Sequence, residues 1–196
     1  MTPKQIERIK IKIKRIKAEL AADKKHWGGY YHDGRGLRYL PPSLYIQIED
    51  YTGGLRYINW FLKNFPDDYA FPDFFFENAI IFYKTNRKKE AERKIFETFC
   101  SNTYVLDKFF ENQIIPIEKY EDNNMEVPSY CENFPYTQKQ ENLVDFSEWL
   151  KGYIMSEKFT ELCSKYIDIH KRLMNENDVE TRGYLFQQAD LLVKEL

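Results

Sequence analysis

The chain has 196 residues, of which 43% are hydrophobic, 17% aromatic and 31% charged, and its formal net charge is −2. This much apolar mass excludes an intrinsically disordered chain. Charges interrupt every apolar run well short of the roughly 20 residues a spanning helix needs, so a soluble single domain over 1–196, with no membrane contact, is expected.

The charge is uneven: residues 1–25 carry a net +6, which leaves −8 for the remainder. The same segment holds the clearest helical pattern, because Ile6, Ile9, Ile13, Ile16 and Leu20 recur at steps of three and four. Thr2 caps the start, with Pro3 in the first turn and Gln5 completing a capping box, and Gly28-Gly29 ends it, giving a basic amphipathic helix over 1–27. Lys10, Lys14 and Lys17 flank one side of the stripe, and Arg8, Lys12 and Arg15 the other, while Ile11 faces outward. The cations either cover the margins of an apolar seam or meet the phosphates of a nucleic acid.

Trp27 to Pro42 is rich in turn residues. Gly34-Arg35-Gly36 lacks the lysine and hydroxyl residue of a P-loop, so its glycines are read as turn formers. His26, His32 and Asp33 are read as a polar turn rather than a metal site.

From Ser43 to Phe110 the pattern is helical. Leu44–Ile48 and Leu55–Phe65 form one pair of blocks. A second pair starts with Asp73 as cap, runs through Phe76, Ala79, Ile80 and Tyr83, breaks at Thr85-Asn86, and resumes from Arg87 to Cys100. Helix, turn, helix, repeated, is the grammar of stacked hairpins.

Asp50-Tyr51-Thr52-Gly53-Gly54-Leu55-Arg56-Tyr57-Ile58, followed by Phe61 and Pro66, resembles the second half of a tetratricopeptide repeat. Gly54 corresponds to the small residue that lets paired helices approach, Pro66 to the terminal proline, and Ala91 to the small residue of the next unit, with Ala79 and Phe82 on its first helix. Ala91 follows Gly54 by 37 positions, against about 34 in the family, which implies a longer junction near Asp67–Pro72. Pro41 and Pro42 imply a late start for the leading helix. Arg38-Tyr39-Leu40 through Asp68 is also similar to a group of uncharacterised bacterial proteins with such a core, a similarity that implies no activity.

The resemblance implies an all-α, right-handed array of stacked antiparallel hairpins, with two tetratricopeptide-like pairs over 40–110. It also implies a concave partner-binding surface carrying Tyr39, Ile46 and Gln47 from the first unit and Asp73, Phe76, Ile80, Tyr83 and Lys84 from the second. Gln47 and Lys84 are the expected polar contacts for a peptide or its carboxylate. Two repeats cannot seal their own faces, so helices at both ends are expected to cap them.

Residues 111–142 form an irregular, proline- and aromatic-rich segment, expected to lie across the helical body and over the groove. Helices return over 143–196. Leu143, Phe146, Leu150 and Ile154 mark one. Phe159, Leu162, Tyr166, Ile169 and Leu173 mark a longer one, paired with a last helix that Asn177 and Glu180 cap and that runs through Leu185, Ala189, Leu192 and Leu196. His170 adjoins the longer stripe and is expected to pack there.

Cys100, Cys131 and Cys163 are dispersed and fit neither a disulfide framework nor a zinc spacing, so reduced thiols and no metal or other cofactor are expected. No nucleophile motif is present, and a non-enzymatic role is expected. The function expected is a protein-interaction or scaffold module binding a protein or peptide partner. The alternative is nucleic-acid binding through Lys10, Lys14 and Lys17.

Overall fold

Thr2 opens α1 (Pro3–His26) with a full capping box: its hydroxyl accepts the Gln5 N–H at 3.3 Å while the Gln5 side chain accepts the Thr2 N–H at 2.8 Å. Ile13, Ile16 and Leu20 are buried, each contributing about 1.5–3 kcal/mol over an exposed position. Ile6 and Ile9, nearer the N-terminus, are only half-buried, and Ile11 is exposed. The computed structural model that establishes this describes residues 1–194, and among them every regular element is helical. None of these helices is long and apolar enough to cross a membrane.

After a 3₁₀ turn at Leu37–Tyr39 the chain forms α2 (Pro41–Gln47) and α3 (Tyr51–Asn64), then α4 (Pro72–Lys84) and α5 (Lys88–Ser101). As the two prolines imply, the leading helix starts late: α2 begins only at Pro41 and has seven residues against thirteen in α4, with proline lacking only an N–H that the first turn leaves unbonded anyway. Asp50 caps α3 by accepting the Gly53 N–H at 2.8 Å. Asp73 does not cap α4. Phe71 occupies the cap position and Asp73 lies inside the first turn, where its charge still suits the helix dipole. Asn86, at φ 60°, turns the chain between α4 and α5 in a left-handed conformation that asparagine tolerates.

The helices pack as pairs, α2 with α3 and α4 with α5, and the first pair stacks on the second through α4. Gly54 and Ala91 are both buried at these junctions. α1 packs against α2 and the 3₁₀ turn, sealing one end. At the other end lie α6 (Val105–Phe109), α7 (Val144–Ile154), α8 (Glu157–Asn175) and α9 (Val179–Lys194). α8 and α9 pair with each other and both rest on α5, and α7 bridges α4 and α8. Asp178, not Asn177, caps α9 by accepting the Thr181 N–H at 2.8 Å. Leu196, the last residue of the expected stripe, lies outside the described residues.

The irregular segment 111–142 is held in place by specific polar groups. Asn102, fully buried after α5, donates to the carbonyls of Met125 (2.6 Å) and Val127 (3.2 Å) and accepts the Tyr104 N–H at 2.9 Å. The Gln138 side chain donates to the Phe110 carbonyl at 2.7 Å, and its N–H to the Phe109 carbonyl at 2.9 Å. His170, buried on α8, donates Nδ1–H to the Tyr120 carbonyl at 3.1 Å, and Tyr120 N–H returns a bond to the His170 carbonyl at 3.0 Å. Burial lowers the His170 pKa more than the carbonyl raises it, so the ring is neutral. Long irregular segments persist in a domain when their backbone groups find partners in this way.

Candidate functional site

α4 is predominantly apolar and buried along most of its length, and a helix of that composition is stable only when covered on nearly all sides. Its neighbours are α2, α3, α5 and α7, together with the segment Pro128–Tyr136. Phe76, fully buried, sits in an aromatic cage of Phe109, Phe134, Tyr136 and Phe146, with ring centroids 5.0–5.7 Å away. Ile80 is fully buried and Ile46 is 3% exposed. These three residues of the expected concave surface therefore belong to the core, and no partner can reach them without unfolding.

Tyr83 and Lys84 are also committed within the chain. The Tyr83 hydroxyl donates to the Asp145 carbonyl at 3.0 Å and its ring stacks on Trp149 at 4.8 Å, while Lys84 forms an ion pair with the Asp145 carboxylate. Lys84 is thus a tether for α7 rather than a free contact. The tether holds the Asp145 carboxyl below its ordinary pKa against the opposing effect of burial.

Tyr39, Gln47 and Asp73 remain together. They line an open cleft of about 580 Å³ between α2, α4 and the irregular segment, with Ser43, Glu77 and Tyr136 deeper in the same wall. Asp73 and Glu77 stand one turn apart on α4, so their side chains share a face. Each takes a tyrosine hydroxyl from the irregular segment: Tyr130 donates to Asp73, and Tyr136 donates to Glu77 Oε1 at 2.8 Å. Burial lifts the Glu77 carboxyl well above the ordinary range, Asp73 adds to the rise, and the Tyr136 hydroxyl and Ser43 N–H only partly oppose it. Burial therefore favours the protonated form of Glu77 in the cleft wall. Tyr39 donates to Asp68 at 2.6 Å, and burial together with that carboxylate pushes its phenol up to about 12. Gln47 is exposed at the rim, opposite Gln140 of the irregular segment. The cleft offers amide groups, the carboxyls of Asp73 and Glu77, the Arg35 guanidinium at its edge and the rings of Phe71 and Phe74, which suits recognition of a polypeptide segment through hydrogen bonds and apolar contact.

Beside the cleft wall, Arg38 donates to Asp68 (2.6 Å) and Asp33 (3.0 Å), while Asp33 accepts the N–H groups of Leu37 and Arg38. That network accounts for Asp33, and the rings of His26 and His32 both contact the Trp27 indole. Among the described residues no cluster of three or more histidine, cysteine, aspartate or glutamate side chains is arranged to hold a metal.

On α1, Lys4, Arg8, Lys10, Lys12, Lys14 and Lys17 are exposed, and none has an ion pair among the described residues. Arg15 alone among its outward cations is paired, with Glu19 at 2.8 Å. Lys10, Lys14 and Lys17 line a shallow groove of about 300 Å³ with Ile13, Tyr45, Ile48 and Asp50. The acidic body thus does not fold back onto this face.

Sequence reasoning missed Glu77 as a structural anchor, Asn78 as a buried unpaired amide, Asn102 as a second anchor, and the carboxylate partners of the Tyr130 and Tyr136 hydroxyls. The signal was present for the first two, since polar residues inside a predominantly apolar helix must find partners or remain unpaired at a cost. Comparison of the chain with protein-family models, curated proteins and solved structures returns no match.

Proposed function

We propose that the chain is a protein-interaction module, built of tetratricopeptide-like helix pairs, that holds a short segment of a partner in the cleft of Tyr39, Gln47 and Asp73. The observation that carries this reading is that these three residues line one open cleft although their neighbours in the expected surface are buried. Stacked helix pairs characteristically present such surfaces. The three thiols are unpaired. Burial pushes Cys131 up to about 11 and also lifts Cys100 and Cys163, so all are protonated rather than nucleophilic at neutral pH. Unpaired cysteines fit the reducing cytoplasm, which is the location we propose. Affinity capture from the source cell, comparing native protein with Gln47→Arg, tests the reading. A specific protein should be retained by the native chain and lost with the variant, whose melting curve should be unchanged. Equal retention would remove the cleft from consideration.

A second reading is favoured by one observation, the cations of α1 that hold no ion pair among the described residues. A nucleic acid laid along this face would release counterions from each phosphate it pairs, so binding would weaken steeply with salt. A mobility-shift assay at low salt decides: Lys10→Glu, Lys14→Glu and Lys17→Glu together should abolish a shift that the native protein produces. No shift with native protein ends this reading.

A further inference from the structure

α1 ends in a cluster of rings at the surface. Gly28, at φ 64°, turns the chain out of the helix, and Gly29 N–H bonds back to the Lys24 carbonyl at 2.8 Å. The turn leaves Trp27 50% exposed and Tyr30 80% exposed, and the exposed rings of His26 and His32 flank the indole at 5.1 and 5.0 Å. The segment then crosses the end of α1: Tyr31 packs on Trp60 and Phe65 beneath the Lys24 ammonium, 4.8 Å from its ring, while His32 N–H reaches Asp23 on the other flank at 2.8 Å. Tyr30 thus stands one residue from the ring that Lys24 covers. Lys24 continues the flank of Lys10, Lys14 and Lys17 at steps of four, three and seven, a line about 21 Å long. The first three lysines hold no ion pair among the described residues, and Lys24 bonds to the uncharged Asn64 side chain at 3.3 Å. Glu7 and Asp50 are the carboxylates on this side, and Asp50 is held by the Gly53 N–H. Glu19 and Asp23 lie on the opposite flank, where Glu19 pairs with Arg15 and Arg35 and Asp23 accepts the N–H groups of His32 and Asp33.

Resting on the reading of these lysines as phosphate contacts, we propose that the nucleic acid is single-stranded, with its backbone along the flank from Lys10 to Lys24 and unstacked bases on Tyr30 and Trp27 at the end of the helix. A line of cations that leads to exposed rings is the arrangement by which single strands are held: the cations track the backbone and each ring takes a base. Stacking of this kind accepts any base, because every base has a π-face, but it needs bases that are free of their neighbours. In a duplex they are stacked on one another, so Tyr30 and Trp27 would have nothing to take. A membrane surface also attracts lysines, and tryptophan and tyrosine suit its interface. An amphipathic helix lies on a bilayer, however, by burying its apolar face there, and that of α1 is already spent, with Ile13, Ile16 and Leu20 packed into the protein's own core.

The test is fluorescence anisotropy of the full chain with a labelled, mixed-sequence single-stranded DNA of about 15 nucleotides and with the duplex of the same sequence, at low salt. The single strand should bind about tenfold or more tightly than the duplex, and its affinity should fall steeply as salt rises. Tyr30→Ala should weaken binding of the strand about tenfold and leave the duplex and the melting curve unchanged. Trp27 is the exposed member of the three tryptophans, so the strand should also quench its emission. Trp27→Phe, which keeps a ring, should abolish the quench with a smaller loss of affinity. Equal binding of strand and duplex, undiminished strand binding by Tyr30→Ala, or a quench that survives Trp27→Phe overturns the proposal and leaves the reading of the lysines as phosphate contacts standing. No binding of either DNA removes both. Phosphatidylserine vesicles bound by the native chain in place of the strand would overturn the proposal in favour of a lipid surface.

Discussion

Gly54 stands against Ile81: a Cβ on the glycine would lie 2.8 Å from Ile81 Cδ1, and 3.3 Å from the Cβ of Tyr45. The contact joins three helices, since Gly54 is on α3, Ile81 on α4 and Tyr45 on α2. The helix pairs approach this closely without displacing Ile81 because one of them has no side chain at the crossing.

Gly54→Ala should therefore destabilise the fold by about 1–2 kcal/mol. The forced shift of Ile81, an overpacking cost of about 1–3 kcal/mol, outweighs the gain of under about 1 kcal/mol from alanine's helix propensity. Ile81→Val in the Gly54→Ala background should recover part of the loss, and a double-mutant cycle from urea unfolding measures the coupling.

The raised pKa of Glu77 makes stability fall with rising pH. Below the ordinary carboxyl value of 4.5 both states hold the proton and the fold is at its most stable with respect to this group. Above it the unfolded chain releases the proton first, and stability declines by at most about 1.4 kcal/mol per unit until the folded carboxyl also ionises. Glu77→Gln, which is neutral and still able to accept from Tyr136, should remove that slope. Urea midpoints measured across the acid-to-neutral range check it.

Arg38 offsets two carboxylates. Burial alone would lower its pKa, but the bonds from Asp68 and Asp33 raise it overall. Arg38→Met leaves the buried Asp33 without its cation and should cost about 3–5 kcal/mol. Arg38→Lys should restore only part of this, because an ammonium cannot reproduce the planar fork that reaches both acids. Chemical denaturation of the two variants provides the comparison.

Asn102→Leu removes bonds to Met125, Val127 and Tyr104 at once, leaving buried backbone groups unpaired. A loss of about 3 kcal/mol or more is expected. Hydrogen exchange should accelerate first over 123–131, ahead of α4 and α5. Uniform acceleration throughout the chain would mean that the segment and the helices open together.

Lys10→Glu, Lys14→Glu and Lys17→Glu together should leave the urea midpoint essentially unchanged, since these side chains are exposed and hold no ion pair among the described residues. A large drop in the midpoint would show that the basic face does structural work that its geometry does not reveal.

The sequence alone determined the helices, and through them the all-α stack, because its signals are local. The Thr2 capping box, the three-four stripe of α1 and the small residues Gly54 and Ala91 act within one or two turns, or through the absence of bulk. Tertiary structure decided which faces stay open. Asp73 and Glu77 are taken by tyrosines 57 and 59 positions away, and Lys84 by an aspartate 61 positions away. The same long-range closure buries Ile46, Phe76 and Ile80 and leaves Asn78 unpaired beside a cleft. Periodicity reports that a helix has an apolar face, but only the three-dimensional path of the rest of the chain determines what covers it.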